Sequence, residues 1–361
     1  MIKFIHSSDF HLASSFESSS FPSKYAQERR IDIWLSVEEM IKKASEVKAD
    51  FIFLTGDLFN EEYFTLGQMQ RLMNLFSYSN DIKIIITTGN HDPIRTNSLW
   101  NQVLVPENVY IFKNEYLEKL EFEDIDIYGV SYRDSFLVNN TLFDNVELNS
   151  NKHNILMMHT DIINPNINYL PTSLDIIKSL NFDYVALGHI HKPTITNDNI
   201  VYPGSIEPLS FKEQGYHGAV EGVLDDDGLK LGYLDVSNSI FIEKDYIIEE
   251  KFNFYDLKDK IENEWTVKNK KNFLRLNLKG SMNGEYELDI DILEEELKKY
   301  IHYIEIIDNL EEYIDIDKLY ELNESNVIGV FIREMRKKDL NNPVNKKAFK
   351  LGIKALMNKG E

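Results

Sequence analysis

The sequence contains no cysteine among its 361 residues, which excludes both disulfides and metal sites built from thiolates. The absence of disulfides fits a protein of the reducing cytosol. No apolar run approaches the roughly 18 residues that a membrane span requires. The opening "MIKFIHSSD" has the pattern of a first strand rather than of a signal region. We therefore expect a cytoplasmic protein that does not enter a membrane.

Positive charge is also scarce. The formal net charge is −21, which argues against a surface that binds nucleic acid indiscriminately. The charge is uneven, because the segment from Gly329 to Glu361 has 9 lysines and arginines against 3 acidic residues. Such a basic segment indicates either a module with its own partner or a solvated pair of helices, and charge alone does not choose between them.

What the chain does have is an alternation of short apolar runs with amphipathic segments. Hydrophobic residues make up 43% of it, which is typical of a folded protein. The segments Tyr25–Val47 and Thr65–Ser77 have apolar residues at helical spacing. The alternation predicts an α/β core with largely buried strands. The apolar runs are Ile2–Ile5, Phe51–Leu54, Ile82–Ile86, Ile125–Val130, Ile155–Met158 and Tyr184–Leu187.

The later part of the chain changes character. Strands and turns follow from Val201, including a hairpin at "LDDDGLKL" (Leu224–Leu231). From Tyr246 the order is helix, strand, helix, strand, as in a small α/β cap, and two helices broken at "NNPVN" follow from about Ser325. We expect three parts: residues 1–245, a cap at 246–324 and a basic helical tail at 325–361.

Five apolar strands end in side chains that can bind a divalent metal. A turn such as "TTGNHD" could use Gly89 and Asn90 for backbone reasons alone, and a lone histidine at a strand end is more often a surface residue. Five such ends in one chain favour a metal site, because carboxyl ends of strands converge at one edge of an α/β sheet. The side chains are Asp9 and His11, Asp57, Asn90 with His91 and Asp92, His159, and His189 with His191.

The mixture of carboxylates, imidazoles and an amide suits two divalent cations. Two cations about 3.5–4 Å apart can activate a water and neutralise a phosphoryl group. Asp57 stands alone on its turn and is the candidate bridge between them. Gly56, Gly89 and Gly188 are expected to let the backbone pass close to the ions.

The order Asp-x-His, Gly-Asp, Gly-Asn-His-Asp, His and Gly-His-x-His resembles that of the calcineurin-like metallophosphoesterases. The resemblance implies a sandwich of two mixed β-sheets flanked by helices, and two metal ions. It assigns Asp9, His11, Asp57 and His191 to one ion, and Asp57, Asn90, His159 and His189 to the other. It also implies that His91 contacts the phosphate or protonates the leaving oxygen, while Asp92 holds the His91 tautomer.

Three further stretches resemble the SbcD-type DNA-repair exonucleases and their YhaO-like relatives. They are "GDLF" at Gly56–Phe59, "YPGSIEPLSFKEQGYHGAV" at Tyr202–Val220 and "VIGVFIREMRKK" at Val327–Lys338. The resemblance implies a manganese-dependent DNA nuclease whose cap guides DNA and whose C-terminal helices dock on an SbcC-type coiled-coil ABC ATPase. Many of these enzymes have a histidine where this chain has Asn60, a candidate substrate contact, which argues against strong exonuclease activity on duplex DNA.

The cap contains a basic stretch with no acidic residue between Trp265 and Gly284, in which Trp265 and Phe273 are interleaved. Lysines and arginines contact phosphates, and aromatic rings can stack on unpaired bases, so we expect DNA contacts here. The alternative is the solvent face of an alternating strand. The candidate contacts are Lys268, Lys270, Lys271 and Arg275.

Two other functions remain open: a phosphodiesterase for small substrates such as cyclic nucleotides, and a non-catalytic scaffold of an ATPase complex. The first leaves the cap and basic tail without a purpose, and the complete ligand set disfavours the second. The family also implies a homodimer. "TLGQMQRLMNLF" (Thr65–Phe76) fits either a dimer helix or a core helix, and the core interpretation is favoured.

Overall fold

The computed structural model describes residues 1–16, 22–139, 141–144, 146–165, 168–248, 252–283, 288–313, 315–340 and 342–357. They form two compact units, one of residues 1–242 with 267–273 and one of residues 243–266 with 274–361. The predicted tail and most of the predicted cap fall within the second unit, but residues 267–273 of the cap belong to the first. The division into three parts stays a prediction. Asn341 and residues 358–361 of the predicted tail lie outside the described residues.

The elements alternate between strand and helix as the apolar pattern predicts. The helices are α1 (Ser23–Glu46), α2 (Leu66–Ser77), α3 (Leu174–Ser179), α4 (Phe254–Glu264), α5 (Ile290–Leu297), α6 (Ile316–Asn323), α7 (Val327–Met335) and α8 (Pro343–Met357), with a 3-10 turn at Leu99–Asn101. None of these helices is long and apolar enough to cross a membrane in the described parts of the chain.

The strands in chain order are β1 (Ile2–Ser7), β2 (Phe51–Thr55), β3 (Lys83–Thr87), β4 (Val109–Ile111), β5 (Glu118–Glu121), β6 (Ile125–Gly129), β7 (His153–His159), β8 (Tyr184–Gly188), β9 (Thr194–Thr196), β10 (Ile200–Tyr202), β11 (Ala219–Asp225), β12 (Gly228–Leu234), β13 (Ser239–Ile248), β14 (Lys271–Asn283), β15 (Tyr303–Asp308) and β16 (Glu311–Tyr313). All six predicted apolar runs lie in or beside strands, and the predicted hairpin is the antiparallel pair β11 and β12.

The first unit contains two six-stranded sheets, ordered β12-β11-β1-β2-β3-β4 and β5-β6-β7-β8-β10-β9. In the first sheet β1 to β4 run parallel, and β11 and β12 extend it antiparallel. In the second, β6, β7, β8 and β10 are parallel, with antiparallel strands at both edges. The predicted fold, two mixed sheets flanked by helices, is confirmed.

Apolar side chains join the two sheets face to face. Phe4 of the first sheet packs on Phe53 beside it and on Tyr184 of the second, with ring centroids 5.1 and 4.6 Å away. The helices α1 and α2 cover the other face of the first sheet, and α3 that of the second. Strands covered on both faces are apolar along their length, which is why the sequence shows them as continuous runs.

Helix α2 shows why its pattern suggested two interpretations. Its buried residues Met69, Leu72, Met73 and Phe76 all belong to the core against the first sheet. Thr65 and Gln68 form a capping box that starts the helix. The core therefore accounts for the apolar stripe, and the stripe itself supplies no argument for a dimer.

The second unit contains the predicted cap elements α4, α5 and β15, together with β16 and the later parts of β13 and β14. The strands of this sheet are ordered β13-β14-β15, and β16 pairs with β14. The last three helices of the unit, α6, α7 and α8, share a small apolar core of Ile332, Phe349 and Ile353. Helix α6 has no fully buried residue, so the apolar pattern did not reveal it. Its start is set by Asp315, which caps two backbone amides.

Candidate metal centre

Seven side chains predicted to bind metal come together at one edge of the first unit, where β1, β2, β3, β7 and β8 end. His159 Nε2 lies 3.3 Å from Asp57 Oδ2, and His11 Nε2 lies 3.1 Å from His191 Nε2. We call these seven residues the strand-end cluster: Asp9, His11, Asp57, Asn90, His159, His189 and His191.

Backbone hydrogen bonds join the turns that carry the cluster. Asp9 N donates to Gly56 O at 3.1 Å, and His11 N donates to Asp57 O at 3.0 Å. His189 N donates to both carboxylate oxygens of Asp9, at 3.2 and 3.1 Å. The last contact joins a turn of the second sheet to a turn of the first, so the cluster is held together before any ion is considered.

Four cluster residues have left-handed backbones. The φ angles are +52° at Asp9, +48° at His11, +53° at Asp57 and +98° at His189. A non-glycine residue with this conformation costs on the order of 1–3 kcal/mol and persists only where the surrounding structure imposes it. Such residues concentrate at functional sites, and here the turn hydrogen bonds impose the conformation.

Two glycines allow the turns to approach each other. Gly56 has a φ of +84°, and a Cβ there would lie 2.7 Å from both Gly89 N and His159 Nδ1. At Gly188 a Cβ would lie only 1.9 Å from the carbonyl oxygen of Thr55. Side chains at these positions would force the strand ends apart. The sequence analysis expected these glycines to let the backbone pass close to metal ions. In the structure they let the backbones of neighbouring turns pass close to each other.

Asp57 lies between two groups of histidines. Its Oδ2 is 3.3 Å from His159 Nε2 and 3.8 Å from His11 Nε2, while Oδ1 accepts a hydrogen bond from His91 N at 2.9 Å. Burial opposes the charge, but the nearby imidazoles of His159 and His11 hold the pKa of Asp57 below its usual range. Asp57 is therefore an ionised carboxylate within reach of both sides of the cluster.

Three cluster histidines have a hydrogen-bond acceptor at Nδ1. This acceptor fixes the tautomer, because Nδ1 carries the hydrogen and Nε2 keeps its lone pair. A metal-ligating histidine almost always has such a partner. The pairs are His11 with Asn60 Oδ1 at 2.8 Å, His159 with Thr55 O at 2.9 Å, and His191 with Glu213 Oε1 at 2.9 Å.

The ring nitrogens of the cluster histidines that do not bond these acceptors face one another across the cluster. His11 Nε2 faces His191 Nε2 at 3.1 Å, and His159 Nε2 lies 3.3 Å from His189 Nδ1 and 3.2 Å from Asn90 Oδ1. Lone pairs this close repel unless a proton or a cation lies between them. Because the surrounding donors are carboxylates, imidazoles and an amide, this set fits a divalent cation on each side.

The pKa values of the cluster histidines diverge. Burial opposes protonation at His159 and His191, but Asp57 beside the first and Glu213 beside the second raise each pKa to about 9. Burial and the neighbouring His159 lower the pKa of His189 to about 4. A cation must displace the protons that the first two histidines take up, so its affinity should rise with pH.

Three groups of side chains in the described residues could each hold a metal ion, because their ligand atoms lie within 4.8 Å of one another. Asp57, Asp9 and His11 each belong to two of these groups, so the groups overlap. The groups are Asp9 with His11 and His191, His11 with Asp57 and His91, and Asp9 with Asp57 and His159.

His91 is exposed, with its ring 5.1 Å from that of His11. This position at the open side of the cluster suits contact with a substrate, the role that the sequence predicts. The same position puts His91 within reach of a metal that His11 and Asp57 hold. Geometry alone therefore leaves two roles for His91.

Asp92 differs from its predicted role of orienting His91. Its carboxylate accepts backbone N–H groups from Asp57 at 3.1 Å, Leu58 at 2.9 Å and Gly89 at 2.7 Å. Burial and the charge of Asp57 raise its pKa to about 7. Because its oxygens are occupied by these amides, Asp92 fastens the turns after β2 and β3 to each other.

The basic stretch also differs from its prediction, because three of the four candidate DNA contacts have acidic partners. Lys270 Nζ donates to Asp235 at 2.5 Å and is largely buried, and Lys271 pairs with the buried Asp32 at 2.7 Å. Arg275 pairs with Glu305 at 3.0 Å. Only Lys268 among the four is both exposed and without an acidic partner in the described structure.

Phe273 was expected to be available to a base, but it is fully buried. Its ring stacks on Phe241 with centroids 4.7 Å apart, and the guanidinium of the buried Arg29 lies 5.3 Å from it. The alternating pattern of this stretch is therefore explained by a strand with one packed face, the alternative that the sequence analysis left open.

The sequence analysis missed one partner in the site, Glu213, and gave another, Asn60, a different role. Glu213 orients His191 and accepts from Ser205 Oγ at 2.8 Å and from Leu209 N at 3.0 Å. The only signal was its place inside the stretch at Tyr202–Val220 that resembles the exonucleases. Asn60 was expected to touch substrate, whereas its side-chain oxygen accepts the hydrogen of His11 Nδ1.

Comparisons with known proteins agree with this geometry. Residues 2–193 match the calcineurin-like phosphoesterase family. The metallophosphoesterase YhaO of Bacillus subtilis, itself described as uncharacterized, is 30% identical over 230 residues, 60% of this chain and 56% of YhaO. The DNA double-strand break repair protein Mre11 of Methanocaldococcus jannaschii is 28% identical over 343 residues, 90% of this chain and 87% of that protein.

Among solved structures, TT1561 of Thermus thermophilus aligns with 65% of this chain and 99% of its own, at a TM-score of 0.39 and 15% identity. A dimetal phosphatase from Danio rerio aligns with 65% of this chain and 96% of its own, at a TM-score of 0.38 and 8% identity.

We predict that Glu213→Gln weakens the affinity for manganese by about 10- to 100-fold, the usual cost of losing an outer partner of a metal-binding histidine. Glutamine keeps an acceptor for His191 but removes the charge. Isothermal titration should detect the change, with circular dichroism showing an unchanged fold. The control Glu123→Gln alters an exposed glutamate and should bind as the wild type does. Equal affinity in the two variants would contradict the role of Glu213.

Proposed function

This chain belongs to the calcineurin-like phosphoesterase family, and we propose that it hydrolyses DNA phosphodiester bonds with two divalent metal ions held in the strand-end cluster. The observation that carries the proposal is the position of Asp57, whose carboxylate lies within 3.3 Å of His159 and 3.8 Å of His11. A carboxylate placed in this way can be shared by two ions.

We assign the ligands as the family resemblance implies. The ion on one side would be held by Asp9, His11, Asp57 and His191, and the ion on the other by Asp57, Asn90, His159 and His189. The facing nitrogens and their fixed tautomers support both sets. Manganese is the proposed metal because the family resemblance implies it, and donors that combine oxygen and imidazole nitrogen without thiolate are compatible with it. Bound there, two ions would supply a nucleophile at neutral pH and neutralise charge on the phosphoryl group.

The protein's own groups prepare the site in three ways. The backbone hydrogen bonds between turns fix the spacing of the ligands, so little reorganisation is needed when an ion enters. The acceptors at Nδ1 aim each imidazole. His91, on the open side, is proposed to contact the phosphate and give a proton to the leaving oxygen.

DNA as the substrate is supported by the relative from Methanocaldococcus jannaschii, a DNA double-strand break repair protein that aligns with most of this chain. The opposing observations are the net charge of −21 and the acidic partners of Lys270, Lys271 and Arg275. These observations favour a narrow DNA path, to which the exposed Lys268 can contribute. The same observations are also compatible with the second candidate function, a phosphodiesterase for small substrates.

We predict that the protein with manganese hydrolyses bis-p-nitrophenyl phosphate and also cleaves DNA, and that Asp57→Ala abolishes both reactions because it removes the shared ligand. Asp81→Ala, which alters an exposed aspartate, is the matched control and should keep both. Hydrolysis of the small diester without DNA cleavage would favour the second candidate. If the wild type acts on neither substrate, the phosphodiesterase assignment fails.

We predict that His91→Asn lowers turnover of a phosphodiester by about 10²–10⁴-fold, the usual loss for a positioned acid or base. Metal content should stay at the wild-type level, since the proposed role does not include ligation. Steady-state kinetics with excess manganese, followed by elemental analysis of the same sample, measures both quantities. A variant that loses an ion would show that His91 is a ligand.

A partner is proposed for the C-terminal helices. Phe331 and Phe349 stack with ring centroids 5.9 Å apart, so part of each apolar stripe packs within the α6–α8 core. Other apolar residues stay outside it, with Val327 63%, Val330 49% and Leu351 60% exposed. Exposed apolar residues on amphipathic basic helices suit docking on a partner helix. We propose an SbcC-type coiled-coil ATPase as that partner; a homodimer remains a proposal from the family alone.

We predict that the double variant Val327→Asp and Val330→Asp no longer co-purifies with a co-expressed SbcC-type ATPase from the same organism. Both side chains are largely exposed, so the midpoint of thermal unfolding should hardly change. Lys337→Asp, an exposed change just beyond the C-terminal end of α7, serves as the control for charge alone. Retention of the ATPase by the double variant would contradict docking through α7.

A further inference from the structure

Two aromatic side chains stack on each other in solvent beside the strand-end cluster. The rings of Phe136 and Tyr169 have centroids 6.1 Å apart and planes inclined by 28°. Phe136 is 57% exposed, and Tyr169 is partly exposed. Tyr169 also packs against the apolar core of the second sheet and lies beside His189 of the cluster, with ring centroids 5.3 Å apart. The pair thus extends from the proposed metal site to the surface.

Backbone contacts fasten the pair to the second sheet. Leu137 N donates to Asn168 O at 2.9 Å, and Leu170 N donates to Leu137 O at 2.7 Å, so the chains carrying the two rings run side by side. Thr160, the residue after His159, donates its hydroxyl to Tyr169 O at 3.1 Å and Leu170 O at 2.9 Å. Tyr169 is therefore anchored to the strand end that carries a cluster histidine.

The Phe136 side is fastened to the first sheet. Arg95, which lies just after the turn carrying Asn90 and His91, donates to Asp134 Oδ1 at 2.7 Å and to Ser135 Oγ at 2.8 Å. Its guanidinium also pairs with Glu61. The charge of Arg95 is thus used within the protein, and its effect is to hold the segment before Phe136 next to the cluster.

Phe136 differs from the other exposed apolar residues in its place, because its ring stacks on Tyr169 next to a cluster histidine and leaves apolar surface open to a substrate bound there. Aromatic side chains at the rim of a nucleic-acid site stack on bases, and this contact requires no positive charge. That property suits a protein with a net charge of −21 whose basic candidates Lys270, Lys271 and Arg275 have acidic partners.

We propose that Phe136 and Tyr169 form a stacking platform for an unpaired nucleobase of the strand whose phosphate enters the strand-end cluster. The proposal rests on the proposed phosphodiesterase function and adds the preferred substrate class, a single strand or an unpaired end. Bases within a duplex are stacked on their neighbours and present only their edges, so they cannot occupy the platform without being unpaired.

The test compares the binding of a short single-stranded oligodeoxythymidylate with that of an abasic oligonucleotide of the same length. Calcium replaces manganese to prevent cleavage, and fluorescence anisotropy measures both dissociation constants. The two ligands have the same phosphates, so their affinity ratio reports the bases. The wild type should prefer the thymidylate by about 5- to 100-fold, the range expected for stacking of about one base.

Phe136→Leu should bring this ratio close to one, since leucine is apolar but cannot stack, and Phe136→Trp should retain it. Tyr78→Leu alters an exposed tyrosine in the connection from α2 to the amino end of β3, at the edge opposite the strand-end cluster, and should leave the ratio unchanged. A ratio near one in the wild type, or an unchanged ratio in Phe136→Leu, overturns the platform. Failure of the proposed function is distinguished by the manganese assay with bis-p-nitrophenyl phosphate, which contains no nucleobase.

Discussion

The carboxylate of Asp57 is the point on which the architecture of this site depends. It follows β2 in a left-handed conformation, and its oxygens meet an imidazole from each sheet as well as a backbone amide from the turn after β3. An ionised carboxylate in a buried place is costly unless opposite charge or hydrogen bonds surround it. The glycines, the left-handed turns and the bonds between turns all serve to bring those partners to it.

The cluster histidines are in turn oriented by hydrogen-bond acceptors that lie further from Asp57. Their Nδ1 acceptors differ in chemistry: an amide oxygen for His11, a backbone carbonyl for His159 and a carboxylate for His191. A charged acceptor makes an imidazole more basic than a neutral one does. The two sides of the cluster are therefore unequal, and under the proposed function the two ions would bind with different affinities.

The sequence predicts the strands and the cluster because both are encoded locally. An apolar run followed by Asp57 or His159 carries its own signal, and the convergence of strand ends supplies the rest. Glu213 and the partners of the basic stretch carry no such signal. Lys271 pairs with Asp32, 239 residues away along the chain, and no local pattern reveals that its charge is already used. Ion pairs between residues far apart in the sequence therefore determine which basic side chains can still contact a substrate.

The most direct test of a shared Asp57 carboxylate is the number of manganese ions bound per chain, measured by elemental analysis after equilibrium dialysis against excess metal. The account predicts two ions in the wild type and fewer than two in Asp57→Asn, which keeps the size of the side chain but removes its charge. One ion or none in the wild type, or two ions retained in Asp57→Asn, would contradict it.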